Sequence, residues 1–268
     1  MVKLIGICGR EGAGKTTAAN YIAPIKFYNK IYTHPWAYII SCLLGIDYKK
    51  CCLEIPNYLD RTKVLDSLSK DLHDFISKIL NAFDTIFPYP IENNFAKKFT
   101  ILEPISKKWI QLTLADPLKK VCVAFTGIPH KILLGNDTKL RKLRECKKYN
   151  IAGLELTGRE VLEQIGTQVF RMNIDTNFWT NLMEKNIKNN AFKNIVIPDI
   201  RFKNEYEMLK KLDGKLLVIC RNLKDLKLTE TDKKQHPAKW EFITFSDKAQ
   251  IIVNTTKENL YKTLDTLF

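Results

Sequence analysis

Short apolar runs alternate along this chain with stretches of helical period. Residues 2–8 are mostly apolar and rich in β-branched side chains, the pattern of a strand buried on both faces. Glycine-rich residues follow, then helical periodicity over 15–23 that stops at Pro24. The apolar run returns at 194–199, 215–220 and 249–254, and a helix over 204–212, ending at Gly214, separates the first two. Strands alternating with helices predict an open α/β sheet joined by right-handed crossovers. Residues 25–111 break the pattern. Aromatic-rich strand-like pieces, an amphipathic helix over 65–83 and proline-containing turns predict an insertion packed beside the sheet. Residues 221–248 are polar and lysine-rich with few core candidates, which predicts a mobile lid between two strands.

Composition narrows the class without naming a function. At 268 residues, 45% hydrophobic and 27% charged, the chain is long enough for one sizeable core, and a single domain over 1–268 with an insertion is expected. The net charge of +14 suits an anionic partner, a nucleotide or a nucleic acid, but it is spread along the chain instead of gathered in one run. The seven cysteines include no Cys-x-x-Cys pair, and the four histidines lack zinc-ligand spacing, so reduced thiols are expected. The first residues read as a strand with no signal peptide ahead of them, and the longest apolar run, 37–46, is too short to cross a bilayer. A soluble intracellular protein, in the cytoplasm, is expected.

The motif with the most chemistry is Gly9-Arg10-Glu11-Gly12-Ala13-Gly14-Lys15-Thr16, which satisfies G-x-x-x-x-G-K-[ST] without a mismatch. It stands between a buried strand and a helix, the context a P-loop requires. Glycines let the backbone wrap an anion with its N–H groups inward, and the helix N-terminus adds to the field. ATP is the expected cofactor, held by residues Arg10 to Thr16 with Thr17 behind them. Lys15 neutralises the β- and γ-phosphates, and Thr16 offers its hydroxyl to Mg²⁺. What the ATP serves is a separate question. No apolar strand ends in Asp-Glu, as motor NTPases require. Asp199 is followed instead by Arg201, an acid and a guanidinium at one strand tip, which suits a phosphorylated acceptor.

A second cluster lies between these two. Thr157 and Glu160 form a capping box that starts a helix running to Met172. Val161, Leu162, Ile165 and Val169 make its apolar stripe, and Arg159, Glu163, Gly166, Thr167 and Phe170 a second face, either a solvated surface or a ligand surface. Trp179 reads as core or as a base-stacking platform. Asp116 ends an apolar run with Pro117 behind it, so it is expected to cap a helix, to take part in binding, or both.

In order, the P-loop, Ala-Asp-Pro-Leu-Lys at 115–119, Thr-Gly-Arg-Glu-x-Leu-x-x-x-Gly-Thr at 157–167, Trp179 and Ile-Pro-Asp-Ile-Arg-Phe-x-Asn-Glu at 197–205 resemble the deoxynucleoside monophosphate kinases of large DNA phages and viruses. The resemblance covers residues 1–23 and about 112–268. It implies a P-loop kinase three-layer sandwich with a mostly parallel sheet, an inserted subdomain and a lid. It implies Arg159, Glu163, Trp179, Asp199, Arg201 and Glu205 around the acceptor, with Trp179 stacked on the base. Asp116, Gly166 and Thr167 join that substrate set, and Lys15, Arg159 and Arg201 act in transfer. Arg221 is the lid cation expected at ATP. The family's chains are shorter where this one has 25–111, and the stretch from His236 to Glu241 resembles its lid only loosely. Alternatives are a phosphomevalonate or dephospho-coenzyme A type of kinase and, favoured only by charge, a nucleic-acid-dependent NTPase or polynucleotide 5′-kinase. The expected partner is a small nucleotide; a membrane is not expected, and a homodimer is left open.

Overall fold

The computed structural model describes residues 3–24, 26–32, 35–45, 70–86, 99–105, 109–126, 128, 130, 133, 157–190 and 193–267. Seven strands are described: β1 (Leu4–Cys8), β2 (Lys26–Tyr32), β3 (Phe99–Ile105), β4 (Trp109–Gln111), β5 (Asn194–Ile197), β6 (Lys215–Cys220) and β7 (Gln250–Val253). Five of them form one sheet in the order β4-β5-β1-β6-β7, and β2 and β3 form a two-stranded sheet. All four pairings in the larger sheet are parallel, with Ile5 opposite Val196 on one side and Ile7 opposite Leu217 on the other.

The chain divides into two compact units, the first being Met1–Lys26, Pro104–Leu114 and Met183–Phe268. It has three layers. All five residues of β1 are buried, so both faces of the sheet must be covered. The helices Lys15–Ile22 and Lys257–Asp265 cover one face, where Ile5, Ile7, Ala18, Ala19, Val196, Leu217, Ile252, Leu260 and Leu264 share one core. The helix Lys203–Lys211 covers the other, and Leu209 and Ile200 fill the space that a side chain at Gly6 would need.

The second unit is Phe27–Glu103 and Ala115–Leu182. In it the helix Pro35–Leu44 packs on the helix Ala115–Thr126, and the helix Lys70–Ile86 packs on the segment Gln164–Met172. Ile39, Ile76, Ile79, Val121, Phe125, Ile165 and Phe170 are buried there. The 65–83 helix is thus seen as Lys70–Ile86, with 65–69 outside the described residues. Trp109–Gln111, expected within the insertion, is hydrogen-bonded along β5 as an edge of the main sheet. Residues 27–103 also share their unit with 115–182.

Candidate active site

The loop after β1 has the backbone of a cradle. Gly9, Gly12 and Gly14 have φ of 140°, 78° and 105°, a region closed to most side chains. At Gly9 a Cβ would also run into the carbonyl oxygen of Ile219 on β6, whereas Gly12 faces open space. Lys15 folds back over the loop, its Nζ donating to Gly9 O at 2.7 Å and Arg10 O at 2.6 Å. Burial pushes its ammonium down to about 8, and the Arg201 guanidinium adds to that push against the opposing pull of Cys8, Glu11 and Asp199. Thr16 and Glu11 are exposed, Thr17 is half-buried and Ala13 is buried.

Asp199 and Arg201 stand beyond the end of β5. An Asp199 oxygen accepts from the Leu114 amide at 3.1 Å, which anchors the turn after β4, and Arg201 is exposed. Glu205 has a different place from the one expected. It is only 2% exposed, and its carboxylate accepts from the amides of Arg201 at 2.7 Å and Phe202 at 3.1 Å. It caps the helix Lys203–Lys211 and fixes the backbone of Arg201 instead of presenting itself to a ligand. Glu241 accepts from the Lys203 amide at 2.8 Å, a second carboxylate at the same positive helix end.

Residues 221–248 are more ordered by core contacts than their polarity suggests. Phe242, Ile243 and Phe245 are buried, and Phe245 stacks on Tyr206 with ring centroids 5.1 Å apart. Arg10 is drawn to this segment: its guanidinium pairs with both oxygens of Asp232, at 2.7 and 3.0 Å, and donates to Asp225 O at 2.8 Å. These hydrogen bonds hold Asp232 well below the usual carboxylate range. The Arg10 side chain is thereby committed to 225–232 and not turned to a phosphate. Arg221 does lie at the loop, donating to Gly12 O at 3.3 Å and Asn254 O at 3.1 Å.

In the second unit the capping box is as read: Glu160 N donates to Thr157 Oγ1, and Thr157 N to Glu160 Oε2. The helix it starts is α-helical only over Gly158–Glu163, and Gln164–Met172 is a π-helix. Hydrogen bonds that skip five residues change the facing of every later side chain. Arg159, Glu163 and Thr167 stay half-buried, but Gly166 and Phe170 turn into the core. A Cβ at Gly166 would lie 2.8 Å from Leu118 Cδ2, so this glycine admits a neighbouring helix. Trp179 is 4% exposed, with its Nε1 donating to Gly166 O at 3.0 Å and its ring against Phe170 and Phe178. A platform for a base needs an open face; Trp179 is a packing residue. Asp116 is the second residue of the helix Ala115–Thr126, not its cap, and it pairs with Lys120 at 3.2 Å.

Asn254 and Asp232 were not singled out from the sequence. Asn254 closes the apolar run of β7 much as Asp199 closes that of β5, the one signal that pointed to it.

The family model for deoxynucleotide monophosphate kinase matches residues 137–263. A protein of Acanthamoeba polyphaga mimivirus, named as a deoxynucleotide monophosphate kinase, is 29% identical over 125 residues, which are 42% of this chain and 61% of that protein. The deoxynucleoside-5′-monophosphate kinase of Escherichia phage T5 is 24% identical over 245 residues, 89% of this chain and 84% of its own length. With its three-layer parallel sheet, its phosphate cradle and the matched stretch that holds Arg159, Asp199 and Arg201, the chain is similar to the deoxynucleotide monophosphate kinases of DNA viruses and phages.

Proposed function

We propose that the protein transfers the γ-phosphate of ATP to the 5′-phosphate of a deoxynucleoside monophosphate, giving the diphosphate and ADP. The observation that carries this reading is the cradle itself: Gly9, Gly12 and Gly14 hold the loop after β1 at positive φ with Lys15 folded over it, and Arg201 is exposed beyond the neighbouring parallel strand β5. Cations beyond adjacent strand ends suit a reaction between two anions, where catalysis is positioning and charge neutralisation. Loop N–H groups and Lys15 hold the β- and γ-phosphates. Arg201 holds the acceptor phosphate with its planar fork, and Glu205 keeps the Arg201 backbone in place. The bond from the γ-phosphorus to the β-bridging oxygen breaks as one forms to an acceptor phosphate oxygen. That oxygen is already ionised at neutral pH, so the chain needs no general base. Mg²⁺ would be held through Thr16 at the loop's end and would offset charge on the ATP phosphates. Arg159, Glu163 and Thr167 carry proposed roles toward the acceptor from the family resemblance, with Asp116 and Asp199 as further contacts.

Burial of Trp179 takes away the residue that favoured a base-bearing acceptor over a short phosphorylated one. Phosphomevalonate therefore belongs in the test. Release of ADP is followed in a coupled assay with dAMP, dCMP, dGMP, dTMP, their ribose forms and phosphomevalonate. Turnover with one or more deoxynucleotides is expected. Turnover with phosphomevalonate alone, or with none of them, would overturn the reading.

A further inference from the structure

The far side of the cradle is braced by one buried amide. Asn254 follows β7 and is 3% exposed. Its main-chain N–H donates to Cys220 O at 2.7 Å, continuing the β6–β7 ladder, and its main-chain oxygen accepts from Arg221 at 3.1 Å. The side chain points at the loop: Nδ2 donates to Ala13 O at 2.7 Å. Oδ1 is buried without a hydrogen-bond partner among the described residues. An amide that leaves one buried polar atom unsatisfied is a poor choice for filling space, so what the position uses is the donor. The fit is also direct, because a side-chain carbon at Gly14 would strike Asn254 Nδ2.

The consequence follows from the planarity of the peptide unit. In a trans peptide the carbonyl of one residue and the N–H of the next point in opposite directions. Holding Ala13 O outward against Asn254 turns the Gly14 N–H to the concave side of the loop. Arg221 holds the preceding carbonyl, Gly12 O, in the same brace at 3.3 Å. The neighbouring Ala13 N–H is engaged in the turn with Arg10 O at 3.3 Å, so it is the Gly14 N–H that this arrangement presents. We propose that Asn254 is a positioning residue for phosphate binding, fixing the Ala13–Gly14 peptide so that its N–H faces the polyphosphate of ATP. This rests on the reading of the loop as an ATP cradle, and it is tested by a measurement that does not need the acceptor.

The full chain is prepared as Asn254→Leu, which keeps the volume and removes the donor, and as Asn254→Ala, which removes atoms and adds none and so covers a leucine that disturbs the fold. Binding of ATP is measured by calorimetry, and steady-state constants by the coupled assay. Both variants are expected to bind ATP roughly tenfold more weakly, the loss of about one well-placed hydrogen bond, with the KM of the acceptor within about twofold of the unsubstituted chain. Asn254→Asp adds a signature that packing alone would not give. Its carboxylate opposes Ala13 O at neutral pH but regains a donor when protonated, so its ATP affinity relative to the unsubstituted chain rises as pH falls from about 8 to 6. Leucine or alanine variants that bind ATP unchanged would overturn the proposal, as would equal losses for ATP and acceptor. An unsubstituted chain that binds ATP but phosphorylates no acceptor would instead remove the proposed function and leave the Asn254 test standing.

Discussion

Lys15 titrates at about 8 where a free lysine titrates at 10.5, and that difference sets two opposite pH trends. Between these values the unfolded chain keeps a proton that the folded chain has shed. Its contribution to stability is therefore least favourable below about pH 8 and improves as pH climbs to 10.5. Binding runs the other way, because a polyphosphate needs the ammonium form. ATP affinity is expected to fall as pH rises past about 8, and Lys15→Ala should remove that alkaline limb together with phosphoryl transfer while leaving the chain folded. Calorimetric titrations with ATP from pH 7 to 9.5 on both chains check this, and a limb that survives in Lys15→Ala would assign it to another group. The same scale shows where residue type alone misleads. Glu205 and Trp179 have the right chemistry for a ligand, but their partners, the amides of Arg201 and Phe202 and the carbonyl of Gly166, come from the backbone around them. No side-chain pattern displays that.

Among the elements, strand ends were legible and the long helix was not. Apolar runs mark β1, β5, β6 and β7, most plainly β1, where a parallel strand buried on both faces leaves an unbroken local signal. The helix from Thr157 was read with one period throughout, and its change to π geometry at Gln164 moved Gly166 and Phe170 from the supposed ligand face to the core. The loop glycines separate two costs. Gly9→Ala sets a side chain against the fixed backbone oxygen of Ile219 and is expected to cost about 2–4 kcal/mol. Gly12→Ala meets only open space at φ 78° and is expected to cost about 1–2 kcal/mol of backbone strain. Urea melts of the two variants decide it, and equal losses would mean that β6 gives way. The tie between the loop and residues 225–232 is tested by Asp232→Asn. It weakens a paired, charge-assisted contact, with an expected loss of about 1–3 kcal/mol at neutral pH. Asp232 lies below its ordinary value of 3.8, so this contribution is complete above that pH and fades as pH falls under it. The stability gap between the two chains, followed by urea melts, should therefore close toward acid and not toward base.

At the scale of the molecule, the three-layer unit follows from β1. Five successive buried residues demand cover on both faces, and among the described residues helices supply it. Residues 25–111 read as an insertion because their aromatic strands and helix lack that alternation, and the unit that 27–103 share with 115–182 depends on helix packing that no motif records. The strand order has one more consequence, for how the chain is made. The strand that carries the cradle is made before both of its neighbours, and the residues that pair with it begin about 190 positions later. At roughly 5–20 residues per second, that strand waits about ten to forty seconds for its neighbours. Through that interval its apolar face is open to other chains. A product cut short before Asn194 would hold the whole glycine-rich motif and still have no sheet to set it in.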